Sequence, residues 1–345
     1  MYGDIIRISE NCLMLEGLFP ESILKEPDTA NMLLYHRGET LYLFDTGATP
    51  FYRQKILDAI KLLPPFKKVT LFNTHFHPDH TGNNDLILSL NAQEVKHYML
   101  GNYRPFPFAE LFSQGMLFWE EYFHFLPPGI SALDFATLSL QNFQPLCPSD
   151  ETITPLESLP LQNFVFGNTD FTGWKIDGIL IIKSSGHSAD HCMFYLSEHK
   201  LLFSGDETFP LYPLFPDAHS QAISKCLDSI LSLYDNQQLS YLVDGHCTTL
   251  LKDDAISKRI KSIKKHHQNF EMLIIEILNR LKSATAEEIL AECLKVTDSE
   301  TLKFYWAHVF PKMPIDPRAL IVLTLLSLGI TAQGPLGAKK FSRAD

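Results

Sequence analysis

Apolar positions in the first hundred residues fall into short runs broken by turn residues, a pattern of strands alternating with a helix. NMLLYHRGETLYLFDTG reads as two strands joined at Arg37-Gly38-Glu39, the second running into Asp45-Thr46-Gly47. FYRQKILDAIKLL (51 to 63) repeats its apolar positions at helical spacing and stops at Pro64-Pro65. VTLFNTH (69 to 75) is then a mostly apolar strand. Regular strands return at GILIIKSSGH (178 to 187), CMFYL (192 to 196), KLLFSGD (200 to 206) and YLVDGH (241 to 246), with a helix expected around 219 to 234. From about 251 the pattern turns helical, in ISKRIKSIKKHHQNFEMLIIEILNRLK, in ATAEEILAECLK and in ALIVLTLLSLGI (319 to 330). The last run falls short of the ~20 residues a membrane span needs and reads as a buried helix.

Between 101 and 171 the periodicity is lost. This stretch holds 11 of the 25 Phe residues with clustered prolines, a poor match to regular sheet and a fair match to a helical insertion. It is expected to form either a satellite apolar cluster or an apolar wall over a binding site, with Phe106 and Phe108 as aromatics of that wall. The expected division is therefore an α/β domain at 1–250 that carries the insertion, followed by a helical domain at 251–345.

Composition narrows the function classes. With 45% hydrophobic and 20% charged residues the 345-residue chain is ordinary for a water-soluble fold. Forty acidic against 29 basic residues give a formal charge of −11, which disfavours broad binding to nucleic acid or an anionic membrane. The start, MYGDIIRISENCLMLEG, has no basic head before an apolar run, so no secretory leader is expected. Six cysteines at 12, 147, 192, 226, 247 and 293 show no CxxC pair or framework spacing, which predicts reduced thiols and a cytoplasmic location. Neither GxGxxG nor GxxxxGK[ST] occurs, so a nucleotide cradle is unsupported.

The chemistry concentrates in LFNTHFHPDHTG (71 to 82), where His75, His77, Asp79 and His80 follow directly on an apolar strand. Each polar group buried without a partner costs roughly 1–3 kcal/mol, so the four need a shared partner. Three later strands end in further metal-ligand types: His187 after GILIIKSSG, Asp206 after KLLFSG and His246 after YLVDG. Seven nitrogen or oxygen donors divide naturally between two metals, one carboxylate bridging and one position open for water. Residues two apart on an extended segment point the same way, so His75 and His77 can reach one ion, while Pro78 stiffens a turn that sends Asp79 and His80 toward a second.

This HxHxDH pattern, followed in order by His, Asp and His, resembles the metallo-β-lactamase superfamily over about residues 1 to 250. The resemblance implies an αββα sandwich in which His75, His77 and His187 bind one metal, Asp79, His80 and His246 bind a second, and Asp206 bridges. Zinc is the usual metal it implies, with iron or manganese in some branches, a choice that N/O donors alone do not make. Asp45, in DTG, resembles the carboxylate that fixes a ligand imidazole, or else caps local amides. GHSADHCMFYLSEHKLLFSGD resembles the β-lactamase-like protein 2 branch, which includes endoribonucleases and carries a winged-helix-like C-terminal domain.

The expected activity is a dinuclear metal-dependent hydrolase that turns an activated hydroxide on a small carbonyl substrate: a thioester, lactone or other ester. Asp79 is expected to orient that hydroxide and pass a proton to the leaving group, and Tyr212 to hydrogen-bond the developing oxyanion unless it simply packs. Glu207 reads more readily as a solvated side chain than as a working acid. The alternative is a metal-dependent endoribonuclease or single-strand nuclease. Residues 252 to 282 hold eight Lys or Arg against four Asp or Glu, a small excess for an RNA surface.

Overall fold

The structure, a computed structural model, describes residues 3–17, 29–101, 108–140, 153–166, 169–210, 212–213, 216–246, 250–310 and 316–342. Two seven-stranded sheets face each other. The first runs in chain order through β1 (Ile5–Ser9), β2 (Cys12–Leu15), β3 (Met32–Arg37), β4 (Thr40–Phe44), β5 (Lys68–Phe72), β6 (Glu94–Met99) and β7 (Ile153–Pro155). The second contains β8 (Gln162–Phe166), β9 (Thr169–Ile176), β10 (Ile179–Lys183), β11 (Cys192–Leu196), β12 (Leu201–Phe203), β13 (Tyr241–Val243) and β14 (Leu251–Lys252). Outside the first sheet lies α1 (Pro50–Ile60), and outside the second lie α6 (Ser220–Asp235) and the first half of α7 (Asp254–Leu281). The order of layers is α, β, β, α.

Alternation along each strand builds this sandwich. Leu33, Tyr35, Tyr42, Phe44 and Phe72 of the first sheet meet Ile181, Phe194, Phe203 and Val243 of the second in one core. The intervening Leu34, Leu41, Leu43 and Leu71 face Tyr52 and Ile56 of α1, while Leu180, Ile182, Met193 and Leu202 face Ile223, Leu227 and Ile260. Both faces of the central strands are therefore buried, which is why they read as nearly unbroken apolar runs. Thr49 caps α1 by accepting the Tyr52 N–H at 3.2 Å, with Pro50 in the first helical turn, where its missing donor is harmless.

Strand direction decides where the site forms. β4, β5 and β6 are parallel, and β12 and β13 are parallel in the second sheet, with β10 running the same way two antiparallel steps removed. The segments leaving β5, β10, β12 and β13 thus emerge at strand ends, and these are the four segments that carry the ligand-type residues. After β5 come two short helices, α2 (Pro78–Thr81) and α3 (Leu86–Ser89).

The expected helical insertion is half right. Residues 108–140 do form α4 (Phe108–Glu120) and α5 (Ala132–Leu140), but between 153 and 176 the described residues are mostly strand, in β7, β8 and β9. There the aromatic residues sit on strands: Phe171 and Trp174 of β9 are buried in the cores on opposite faces of the second sheet. Hairpin pairing of β8 with β9 supplies the order that local pattern did not signal. Phe106 lies outside the described residues.

The C-terminal part contains α8 (Ala286–Cys293), α9 (Glu300–Phe304) and α10 (Pro317–Ser327) with a small sheet of β15 (Ser283–Ala284), β17 (Lys340–Ser342) and β16 (Ala332–Gln333), in that spatial order. A Thr285–Glu288 capping box starts α8. The apolar run expected as a buried helix is α10, where every residue from Ala319 to Leu325 is buried. The second half of α7 contributes Phe270, Ile274 and Ile277 to this core, so one helix serves both halves of the chain. No described helix is long and apolar enough to cross a membrane.

Candidate metal centre

The seven ligand-type residues expected from sequence come together. His75 Nε2 lies 2.8 Å from His77 Nδ1, and His187 Nε2 lies 3.4 Å from the same atom. A second group forms beside it, with His246 Nε2 2.9 Å and His80 Nε2 3.4 Å from Asp79 Oδ2. Asp206 stands between them: its Oδ2 is 3.5 Å from both His187 Nε2 and His246 Nε2, and its Oδ1 is 3.4 Å from His80 Nε2. In each of the triplets His75/His77/His187, His75/His80/Asp206 and Asp79/His80/His246, one donor atom per residue lies within 4.8 Å of the others.

These donors fit a divalent cation. His80 Nε2 and Asp206 Oδ1 are fully buried and make no hydrogen bond, a cost of about 1–3 kcal/mol each that a cation between them would remove. Pro78 opens α2, which turns the chain so that Asp79 and His80 face the second group while His75 and His77 face the first.

Behind these candidate donors the polar partners are specific. Asp45, at φ +60°, places Oδ2 2.7 Å from His80 Nδ1, and its Oδ1 accepts the Thr74 N–H at 2.8 Å. It therefore does both things the sequence left open, orienting an imidazole and capping an amide. Thr74 Oγ1 donates to Asp45 Oδ2 at 2.8 Å and lies 2.9 Å from His75 Nδ1, which leaves His75 Nε2 turned toward His77 and the other donors.

The Metallo-beta-lactamase superfamily model matches residues 26–246. The chain belongs to this superfamily. No curated protein matches it. Among solved structures it is similar to a metallo-beta-lactamase family protein from Thermus thermophilus, at 20% identity and TM-score 0.59, covering 98% of this chain and 100% of that one. It is also similar to a beta-lactamase domain protein from Burkholderia ambifaria, at 17% identity and TM-score 0.58, covering 99% and 94%. A stereoselective inverting sec-alkylsulfatase from Pseudomonas sp. aligns at 14% identity and TM-score 0.57, over 95% of this chain and 50% of that one. At these identities the likeness is one of fold. Superfamily membership together with the His/Asp cluster makes the protein a metal-dependent hydrolase.

Electrostatics divide the cluster of this superfamily member: burial alone would lower His80, but the Asp206, Asp79 and Asp45 carboxylates outweigh it and hold that imidazole well above its usual range, so a metal there would have to displace its proton. Burial, reinforced by His80, His77 and His187, holds His75 well below the usual imidazole range, and burial takes His187 down to about 3. Both are therefore neutral and free to offer a lone pair. Burial alone would raise the Asp79 carboxyl, but His80 and His246 outweigh it and take it to about 2; His246, His80 and His187 likewise hold Asp206 well below the ordinary range. Close approach is enforced by backbone. A Cβ on Gly245 would sit 1.8 Å from Asp206 Oδ1, so only glycine fits there.

Two expectations change. Glu207 is not solvated: it is 0% exposed, its Oε1 accepts the backbone N–H of Gly186 at 2.8 Å and of His187 at 3.3 Å, and burial raises its carboxyl to about 7. The turn after β12 folds it back under the His187 loop. Tyr212 is 3% exposed and stacks on His267 of α7 at 3.8 Å between ring centroids, which is the packing role that sequence had set against an oxyanion contact. Sequence reasoning also passed over Asp190 and His191, although both stand in the quoted GHSADH; the spacing drew attention to ligands and not to the residues between them.

Proposed function

We propose that this protein is a dinuclear hydrolase of a small carbonyl substrate such as a thioester, lactone or other ester. The carrying observation is the position of Asp206 between two donor groups, 3.5 Å from a histidine of each. Two divalent cations held there by His75, His77 and His187 and by Asp79, His80 and His246, with Asp206 shared, would activate a water and polarise the substrate oxygen. Zinc suits the donor set, as do iron and manganese. Asp79 is the more exposed of the two carboxylates, 15% against 6%, so its Oδ2 can reach both the ligand pocket and incoming substrate and handle the proton.

The small substrate is favoured over nucleic acid by the C-terminal part. Its strand order, β15-β17-β16, supports the winged-helix-like expectation, yet α10, the helix that would have to enter a groove, is apolar and buried. The loop between β16 and β17 is occupied too: Lys339 pairs with Glu121, and Gly337 N–H donates to the Glu121 carbonyl at 3.2 Å. That surface grips the end of α4, with Arg318 over Phe123 at 4.5 Å and Phe341 stacked on Tyr122 at 5.7 Å. Phe209 joins the same cluster and meets His246 edge-on at 6.0 Å, which sets the insertion beside the metal ligands. The division near residue 250 remains part of this proposal, with α7 shared. Among described residues the four cysteines are free and buried, in keeping with a reducing, cytoplasmic setting.

The test is elemental analysis of protein purified without added metal, together with assays on thioesters, lactones, p-nitrophenyl esters and RNA. About two metal equivalents and metal-dependent turnover of a carbonyl substrate are expected. Turnover of RNA alone would move the reading to a nuclease, and absence of bound zinc, iron or manganese after incubation would sink it.

A further inference from the structure

We propose that Asp190 and His191 are positioning residues of the metal centre, one holding the backbone between His75 and His77 and the other holding the backbone of Asp206. The inference rests on reading the cluster as a metal site and assigns work to two residues that are not ligands in it. Phe76, the residue between the first two histidines, donates its N–H to Asp190 Oδ2 at 2.9 Å, and Ser188 Oγ donates to Asp190 Oδ1 at 2.7 Å. His191 is 0% exposed, and its Nε2 accepts the Asp206 N–H at 3.1 Å. An accepting Nε2 carries no proton, so the proton sits on Nδ1, which faces Ser184 Oγ at 2.9 Å and Glu207 Oε1 at 3.4 Å. Both ring nitrogens are thus engaged by protein, which removes His191 from the ligand set although its ring centroid is only 4.9 Å from that of His75.

Backbone geometry supports the same assignment. Gly205, at φ +49°, precedes Asp206, and a Cβ there would lie 2.7 Å from His191 Nε2. The chain therefore approaches the imidazole as closely as a glycine allows. Cys192 N–H donates to the Thr74 carbonyl at 2.8 Å, so three consecutive residues, 190 to 192, stitch the His187 segment to the segments of His75 and Asp206. That stretch therefore ties the loops leaving different strands to one another, alongside the Glu207 contacts to Gly186 and His187. Orientation of ligands by such partners commonly decides metal affinity.

The experiment compares acceptor reach while keeping chemistry constant. In His191→Gln the amide extends to the position of Nε2; in His191→Asn it extends only to that of Nδ1. Asp190→Asn keeps an acceptor for the Phe76 N–H, and Asp190→Ala removes it. Each protein is stripped with chelator and titrated with zinc against a competing chromophoric chelator, and its cobalt(II) absorption spectrum is recorded. His191→Asn and Asp190→Ala should bind zinc about tenfold or more weakly with altered cobalt spectra, while His191→Gln and Asp190→Asn stay within about threefold of the parent. The proposal is overturned if His191→Asn and Asp190→Ala bind as tightly as the parent. It is equally overturned if His191→Gln is as weak as His191→Asn, because general loss of packing would weaken both. A parent protein that binds neither ion would remove the metal reading itself and this inference with it, an outcome recognised by the failure of the parent and not of the variants. Melting of the metal-free proteins checks that each is folded.

Discussion

At the scale of single residues, Asp79 and Glu207 carry opposite electrostatics within one site, and each has its own consequence. Asp79 is held ionised by His80 and His246 and is partly open to solvent. Asp79→Asn keeps one oxygen but gives up the charge and the proton, so kcat should fall about 10²–10⁴-fold with a much smaller change in KM. Unchanged turnover with metal still bound would reject the role. Glu207 is buried, with Oε2 making no hydrogen bond. Burial raises its carboxyl from 4.5 to about 7, so between those values the folded protein holds a proton that the unfolded chain releases. That contribution is complete below about pH 4.5 and is lost as pH rises toward 7, up to about 3 kcal/mol. Metal-stripped protein should therefore lose stability relative to Glu207→Gln across this window, read as urea midpoints at several pH values. A constant difference between the two would show that Glu207 does not titrate there.

Elements place these residues through the turns that follow them. β12 and β13 lie side by side in parallel, so Asp206 and His246 leave neighbouring strand ends, and the chain at Gly245 passes directly against the Asp206 carboxylate. Gly245→Ala should displace that carboxylate and weaken zinc binding about tenfold or more, while far-UV circular dichroism stays unchanged because the strand itself, ending at Val243, is untouched. Wild-type affinity in this variant would mean the turn has room that the geometry denies. Seven of the fourteen sandwich strands, β3 to β5 and β10 to β13, were legible because their apolar runs are short and bounded by turn residues, as in CMFYL and KLLFSGD. β1, β2, β6, β7, β8, β9 and β14 were not named; β8 and β9 depend on pairing with each other and lie among Phe residues whose spacing matches a helical cluster as well as a strand.

For the whole molecule, the consequential contact is that between the C-terminal core and α4. Phe341 is 0% exposed and stacks on Tyr122, so Phe341→Ala should cost about 3–5 kcal/mol of folding stability. If the insertion sets substrate fit from beside His246, the same variant should also raise KM for longer acyl esters while metal content stays constant. A stability loss with an unaltered substrate profile would make α4 a structural support only. The burial of α10 and the charge of −11 lead to a further expectation: substrate KM should be insensitive to salt, and RNA should show no retention with a steep salt dependence. Steep salt-dependent RNA binding would contradict it.

The sequence by itself singled out the seven ligand-type residues that the fold gathers, since HxHxDH and three strand-end residues are local patterns whose side-chain types leave few other uses. The αββα layering was implied only through the family that those motifs resemble, and the nearly unbroken apolar strands agree with it, since burial of both sheet faces requires a layer on each side. Only the tertiary structure decided what stands behind those residues. Whether Glu207 meets solvent or the His187 backbone, whether Tyr212 meets substrate or His267, and which backbone N–H each of Asp190 and His191 receives all depend on segments far apart in the chain. Such contacts have no period and no fixed spacing. They exist only once parallel strands have delivered their loops to the same edge.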